Sequence, residues 1–170
     1  DAVSDYNSDF VLLPELFNAP LMGAFNHLPG HEAIRELAQF TKPLVAALSK
    51  LAINYNVNII GGSMPELIGT DLYNATYLMH RNGKIDQSYK IHPTPSEEYE
   101  WGMKGGDNVQ VFETDSGKIG ILICYDVEFP ELGRYLATQG LEILFVPFLT
   151  DTQNGYNRVR FCAQARAIEN

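Results

Sequence analysis

A cysteine ends the apolar run in GKIGILICYDVEFPE, residues 117–131. The run 119–123 is typical of a buried strand, and Pro130 is typical of the first turn of a helix. Cys124 is therefore predicted at a strand's carboxyl end, where α/β sheets bind ligands and a helix N-terminus lowers the pKa of a thiol. We interpret Cys124 as a nucleophile, with the backbone N–H of Tyr125 placed to hold an oxyanion.

Two other reactive side chains follow predicted strands. Glu15 lies two residues beyond the apolar run FVLL, and Lys90 closes a strand that follows the turn dipeptide Asn-Gly. A lone Glu or Lys at a strand end is usually solvated, but Glu, Lys and Cys at three strand ends form a more specific pattern. A thiol nucleophile also needs a base, and His92 is an alternative to a carboxylate in that role.

The elements that must position these residues alternate between strands and helices. Apolar runs and alternation predict seven strands, at 10–13, 57–60, 74–79, 84–90, 109–113, 118–124 and 143–146. Helical periodicity and breakers predict three helices, at 42–55, 130–139 and 157–169, with a loop at 92–106. Strands joined both by hairpins and through helices indicate a mixed sheet in a layered α/β fold. Cys162 falls inside the last helix and is interpreted as a core residue.

Composition narrows the class of partner. The 170 residues carry 12 Lys+Arg against 21 Asp+Glu, a formal net charge of −9, which disfavours nucleic acid and anionic membrane as partners. No apolar run is long enough to span a bilayer, and the first ten residues do not have the pattern of a signal peptide. With two cysteines and no histidine pair at metal-ligand spacing, we expect a cytoplasmic protein without a metal.

Three segments resemble the catalytic motifs of the nitrilase superfamily, the carbon–nitrogen hydrolases. They are LLPELF at 12–17, YKIHPTPSEE at 89–98 and ICYDVEFPE at 123–131, in the family's order. GGSMPE, YNATYLM, FVPF and the closing QARAIEN resemble other family segments. The resemblance implies an αββα four-layer sandwich, with residues 1–170 forming a hydrolase domain core that lacks the family's N- and C-terminal segments.

The resemblance also implies roles. Glu15 would be the general base, Lys90 the cationic stabiliser and Cys124 the nucleophile. A second glutamate follows the lysine, and the Thr-Pro-x context favours Glu97 over Glu98. This context resembles a branch in which an acetyltransferase-like domain sometimes precedes the hydrolase. The resemblance further implies a homodimer and no cofactor.

The reaction implied is cleavage of a non-peptide C–N bond in a small amide, with release of ammonia or an amine through a Cys thioester. A nitrilase or N-carbamoyl amine hydrolase with the same residues is one alternative. A Cys–His hydrolase using His92 is another. A third is a non-catalytic binding or assembly module that retains the three residues.

The pocket is predicted from side chains just past strand ends, namely Glu128, Phe148, Thr150 and Asp151. Val127 and Glu128 depart from the Leu/Ile-Arg pair that the family often has there. We expect a buried ion pair between Asp126 and Arg166, on the principle that buried charges survive by pairing. Trp101 is interpreted either as a pocket aromatic or as packing of its own loop.

Overall fold

The computed structural model describes residues 5–170, so the first four residues of the predicted domain lie outside the described part. Its strands are β1 (Phe10–Leu12), β2 (Asn58–Ile60), β3 (Met64–Ile68), β4 (Asp71–Met79), β5 (Ile85–Tyr89), β6 (Met103–Lys104), β7 (Val111–Thr114), β8 (Gly117–Ile121) and β9 (Ile143–Phe145). Its helices are α1 (Gly30–Leu37), α2 (Thr41–Asn54), α3 (Pro95–Tyr99), α4 (Pro130–Thr138) and α5 (Gln153–Glu169). Shorter 3₁₀ helices span Ala19–Phe25, Ala38–Phe40 and Cys124–Glu128.

The strands form two sheets. In the six-stranded sheet, β4 is central and pairs with β2, β3 and β5 in antiparallel fashion and with β6 in parallel fashion, while β1 pairs in parallel with β2. In the three-stranded sheet, β8 lies between antiparallel β7 and parallel β9. Both sheets therefore contain parallel and antiparallel pairs, as expected for strands joined both by hairpins and through helices.

The core is built in layers. Ile60 and Leu78 of the larger sheet pack against Phe112, Ile119 and Ile121 of the smaller one. On the outside, α2 packs on the larger sheet through a cluster that includes Val45, Ala52, Met64, Ala75, Tyr77 and Met79. Helix α5 covers the smaller sheet through a cluster that includes Val159, Cys162, Leu144 and Val146. The order helix, sheet, sheet, helix confirms the predicted αββα sandwich.

Side-chain alternation along β4 separates the two faces of the larger sheet. Ala75, Tyr77 and Met79 face α2, whereas Leu78 lies in the core between the sheets. By the same period of two, Asn74 and Thr76 share the face of Leu78. The polar residue Asn74 thus enters the space between the sheets.

Several elements differ from the sequence-based expectation. Strand β3 and helix α1 were not predicted: β3 contains Pro65 and Glu66, which mask its strand pattern, and α1 buries Ala33, Ile34 and Leu37 on one face only. The predicted loop 92–106 contains α3, which has Pro95 at its first turn and a capping box between Thr94 and Glu97.

The strand predicted to run to Cys124 ends earlier, at Ile121. The backbone still bonds the neighbouring segment, since the Leu122 N–H donates to the Phe145 carbonyl and the Cys124 N–H to the Pro147 carbonyl. Cys124 itself opens a 3₁₀ helix. Within residues 5–170, none of the helices has the length and apolar character that crossing a bilayer requires.

Candidate active site

Three reactive side chains that are far apart in sequence meet in the interior. Glu15 follows β1, Lys90 directly follows β5, and Cys124 follows β8. Their exposed fractions are 4%, 1% and 6%, so all three are withdrawn from water. Lys90 Nζ lies 2.8 Å from Glu15 Oε1, and the Cys124 thiol lines the same cavity as the Glu15 carboxylate. The structure therefore brings together the three residues that the sequence predicted.

A second carboxylate, that of Glu97, also contacts the lysine. Lys90 Nζ lies 2.7 Å from Glu97 Oε2, and the same oxygen accepts the Thr94 N–H at 2.7 Å in the capping box of α3. Glu97 is buried, whereas Glu98 is exposed. The inward residue is the one predicted, and the capping-box position of α3 turns Glu97 toward Lys90.

The segment that carries Glu15 packs against Gly62 and Ser63, in the connection between β2 and β3. Gly62 has φ +56°, and a Cβ there would lie 1.9 Å from the Pro14 carbonyl oxygen. The Ser63 N–H donates to that carbonyl, and Ser63 Oγ accepts the N–H of Leu16. Only glycine allows this close approach, so the Gly-Gly pair that ends β2 positions the glutamate.

The nucleophile candidate sits in a strained backbone position. Cys124 has φ +49°, a left-handed conformation that is rare for a residue with a side chain. Two residues later, the Asp126 carboxylate accepts the N–H groups of Ile91 (3.1 Å) and His92 (2.8 Å). These bonds connect the turn that carries Cys124 to the segment that follows Lys90. They therefore fix the position of the Cys124 side chain relative to that of Lys90.

The electrostatics of the site correct one expectation. Burial, and to a lesser extent the Glu15 carboxylate, raise the pKa of the Cys124 thiol to about 12, although the Lys90 charge opposes the shift. Burial also raises the pKa of Glu15, against the opposing charge of Lys90. Burial lowers the pKa of Lys90, but the charges of Glu15 and Glu97 outweigh this and keep it above its ordinary value. The predicted low-pKa thiolate is therefore wrong: the resting cysteine is a thiol beside a base and a fixed cation.

A protonated thiol predicts a distinctive alkylation profile. With a pKa of about 12, the rate of Cys124 modification by iodoacetamide is expected to rise about tenfold per pH unit between about pH 8 and pH 10. The measurement uses a Cys162→Ser background, with the modified site read by mass spectrometry. A rate that levels off below about pH 8 would contradict a high thiol pKa.

A cavity of about 130 Å³ opens onto these groups. Its walls combine the ionisable cluster with apolar and polar neighbours, namely Glu15, Leu16, Lys90, Thr94, Glu97, Trp101, Cys124 and Leu149. Trp101 is thus a wall of the cavity, although it also packs against the cluster of α1.

The four predicted pocket residues do not line this cavity. Glu128 Oε1 lies 2.8 Å from Arg158 Nε, Phe148 packs near Tyr156, and Asp151 is exposed. The Thr150 side chain lies beside Gly155, where an added Cβ would be 3.2 Å from Thr150 Cβ. Leu149, which lies between Phe148 and Thr150, lines the cavity instead. A contact of the four predicted residues with substrate stays a prediction.

Among residues 5–170, the structure supports neither the predicted Asp126–Arg166 ion pair nor His92 as the base. Arg166 Nη1 lies 3.5 Å from Glu169 Oε2 instead of pairing with Asp126, so the expected ion pair is wrong. His92 Nδ1 lies 3.0 Å from Asp126 Oδ1, and its ring stacks on Phe129 with centroids 3.7 Å apart. His92 does not line the cavity, which disfavours it as the base for Cys124.

Two residues of the site were missed. Asn74 Nδ2 lies 3.1 Å from Glu15 Oε1 and 2.9 Å from Glu97 Oε1. The Leu149 N–H donates to Glu15 Oε2 at 3.0 Å, and its carbonyl accepts from Cys124 Sγ at 3.9 Å. The signal for Asn74 was a polar residue on the buried face of a strand. Leu149 acts through its backbone, which leaves no signal in the residue type.

The αββα sandwich thus holds a buried cysteine, lysine and glutamate just after its strands, with a second buried glutamate in α3. Residues 1–170 match the family model described as Carbon-nitrogen hydrolase, and the chain belongs to that family. The structure is similar to that of Saccharomyces cerevisiae Nit3, a member of branch 10 of the nitrilase superfamily. The TM-score is 0.79 at 27% identity, over 98% of this chain and 60% of that one.

Two relatives identified by sequence are informative. The probable hydrolase YhcX of Bacillus subtilis is 46% identical over 170 residues, which are 100% of this chain and 33% of that protein. The chloroplastic omega-amidase of Arabidopsis thaliana is 31% identical over 168 residues, which are 94% of this chain and 45% of that protein. The chain therefore spans less than half the length of both relatives.

Proposed function

We propose that the chain is the catalytic core of a thiol hydrolase that cleaves the C–N bond of a small amide, with Cys124 as nucleophile, Glu15 as base and Lys90 as the cation. The observation that carries the proposal is the buried contact of Lys90 with both glutamates beside the Cys124 thiol. Such a buried cluster serves stability poorly, because desolvation of the charges costs as much as their attraction supplies. The names of the relatives, a probable hydrolase and an omega-amidase, support the same chemistry.

In the first step, Glu15 takes the thiol proton as Cys124 Sγ attacks the amide carbonyl carbon. The new C–S bond moves the carbonyl electron pair onto oxygen. The Lys90 ammonium and the Tyr125 N–H stabilise that oxyanion, and each such donor is typically worth about 3 kcal/mol in a dry site. A fixed cation suits this task, because it needs no proton transfer of its own and little reorganisation.

In the second step, protonated Glu15 gives its proton to the departing nitrogen as the C–N bond breaks. This leaves a thioester on Cys124 and releases ammonia or an amine. Glu15, again a carboxylate, then takes a proton from a water that attacks the thioester carbon. Breakdown of that adduct releases the carboxylic acid, and the proton held by Glu15 restores the thiol. Glu97 holds Lys90 and takes no proton.

A substrate screen tests the proposal. The complete protein is incubated with simple amides, ω-amidated dicarboxylates, nitriles and N-carbamoyl amines, and ammonia release is measured. We expect turnover of amides. Turnover confined to nitriles or N-carbamoyl amines would assign the alternative hydrolase with the same residues. Release from none of these classes would favour a binding or assembly module that retains the three residues.

Glu97 and Glu98 form a matched pair for a mutational test. Glu97→Gln is expected to lower the rate at least about tenfold, the usual effect of losing a group that orients a reacting one. Glu98→Gln is the control, because the Glu98 side chain is exposed and the hydrogen bond to Lys90 is made by Glu97. Both variants are assayed on the best substrate of the screen, and the reverse ranking would move the supporting role to Glu98.

We also propose that the complete protein is a homodimer without nucleic-acid or membrane partners and acts in the cytoplasm. The net charge of −9 supports the exclusion of polyanionic partners. Light scattering after size-exclusion chromatography measures the oligomeric state, and a monomer at assay concentration would contradict this proposal.

A further inference from the structure

Asn74 closes a ring of hydrogen bonds around the charged cluster. Lys90 Nζ donates to Glu15 Oε1 and Glu97 Oε2, and Asn74 Nδ2 donates to Glu15 Oε1 and Glu97 Oε1. An amide NH₂ has two hydrogens, so one is directed at each carboxylate. The two glutamates are therefore bridged twice, once by a cation and once by a neutral donor.

The bridge limits how either carboxylate can turn. Glu97 accepts from Asn74, Lys90 and the Thr94 N–H, and Glu15 accepts from Asn74, Lys90 and the Leu149 N–H. A carboxylate has about four acceptor positions, so each glutamate keeps roughly one. Cys124 lines the same cavity, and its thiol is influenced by the charge of Glu15, which makes Glu15 the carboxylate with a reacting partner.

The buried position of Asn74 is unfavourable for the stability of the fold. Its exposed fraction is 1%, and its Oδ1 atom has no hydrogen-bond partner among residues 5–170. A buried, unsatisfied carbonyl oxygen is unfavourable, and an apolar residue would suit this face of β4 better for packing. A turned amide would aim Oδ1 at two carboxylates, so repulsion fixes its orientation. These facts favour a role in the reaction over a role in stability.

We infer that Asn74 is a positioning residue for the proposed reaction: it orients Glu15 toward the Cys124 thiol and holds Glu97 in place as the fixed partner of Lys90. Asparagine suits this task because it donates two hydrogen bonds but neither gains nor loses a proton. The inference rests on the proposed function, since it assigns Asn74 a part in the same proton transfer.

The test compares Asn74→Leu, which removes both donors at similar volume, with the isosteric Asn74→Asp. Thr76→Val is the matched control, because Thr76 lies two residues along the same face of β4 and its buried hydroxyl has no hydrogen-bond partner among the described residues. Asn74→Leu is expected to lower kcat roughly tenfold to a hundredfold with little change in KM. Asn74→Asp is expected to lower it further, because it adds a third carboxylate. Thr76→Val should match the wild type.

The pH profile separates positioning from packing. Glu15 is faced by Lys90 from the end of β5, Glu97 from α3 and Cys124 from the 3₁₀ helix. A lost hydrogen bond to its ionised form raises its pKa, so the acidic limb of kcat should move to higher pH in Asn74→Leu and further in Asn74→Asp. A ¹³C NMR titration of the Glu15 carboxylate, assigned by its loss in Glu15→Gln, reads the same shift without substrate.

The outcomes are distinct. A wild type that turns over no substrate defeats the proposed function, while the NMR titration still decides on Asn74. An active wild type with an unchanged kcat and acidic limb in Asn74→Leu overturns the inference. A lower kcat with an unmoved acidic limb and carboxylate titration would assign Asn74 to packing alone and overturn it too. If Asn74→Leu fails to fold by circular dichroism, Asn74→Ala, which also removes both donors and adds no charge, supplies the same comparison.

Discussion

Replacement of Cys124 by alanine is expected to abolish turnover, with a loss of at least about 10⁴-fold in kcat, as is typical when a covalent nucleophile is removed. Without the sulfur atom, no thioester forms and the reaction loses its two-step path. The fold should persist, because alanine tolerates the left-handed φ of +49° no worse than cysteine does. Ammonia release by the complete protein measures the loss, and circular dichroism checks the fold.

Cys162→Ala is the matched control for the same chemical change. Cys162 lies in α5, is partly buried and packs against the cluster that contains Val159. Its loss should leave the rate within a few-fold of wild type, since it does not line the cavity. An active Cys124→Ala protein with an inactive Cys162→Ala protein would reverse the assignment of the nucleophile.

Glu15→Gln is expected to lower kcat by about 10²- to 10⁴-fold, the usual contribution of a general base. Glutamine keeps the shape of the side chain and can still accept from Lys90, but it cannot take the thiol proton. Its NH₂ group would face the Leu149 N–H, so one hydrogen bond of 3.0 Å is lost. The thiol's pKa of about 12 makes the base essential, because little thiolate exists without it.

The rate of Glu15→Gln is measured on the best substrate of the screen, with Glu98→Gln as the control for loss of an exposed carboxylate. A near-normal rate would remove Glu15 from the mechanism and direct attention to Glu97, which contacts the same ammonium group. The three glutamates are thus ranked by experiment: the rate falls most when Glu15 is replaced, less when Glu97 is replaced and not at all when Glu98 is replaced.

The motifs in the sequence determined the fold class and the main members of the site. Glu15, Lys90 and Cys124 each follow a predicted strand, and the resemblance of their motifs to one family predicted them as one cluster, although their strands belong to two different sheets. Glycine pairs and prolines marked turns for a local reason, because their allowed backbone angles depend on residue type alone.

The tertiary structure alone decided the rest. Whether the thiol is ionised depends on burial and on the distances to Glu15 and Lys90, and here it reversed the expected direction of the pKa shift. Asn74 and the backbone of Leu149 joined the site through contacts across 59 and 134 residues of sequence. The sequence alone determined which reactive groups are present and at which strand ends they lie, because local patterns encode secondary structure. Their charge states, their hydrogen-bond partners and the walls of the cavity are properties of long-range packing, which no local pattern records.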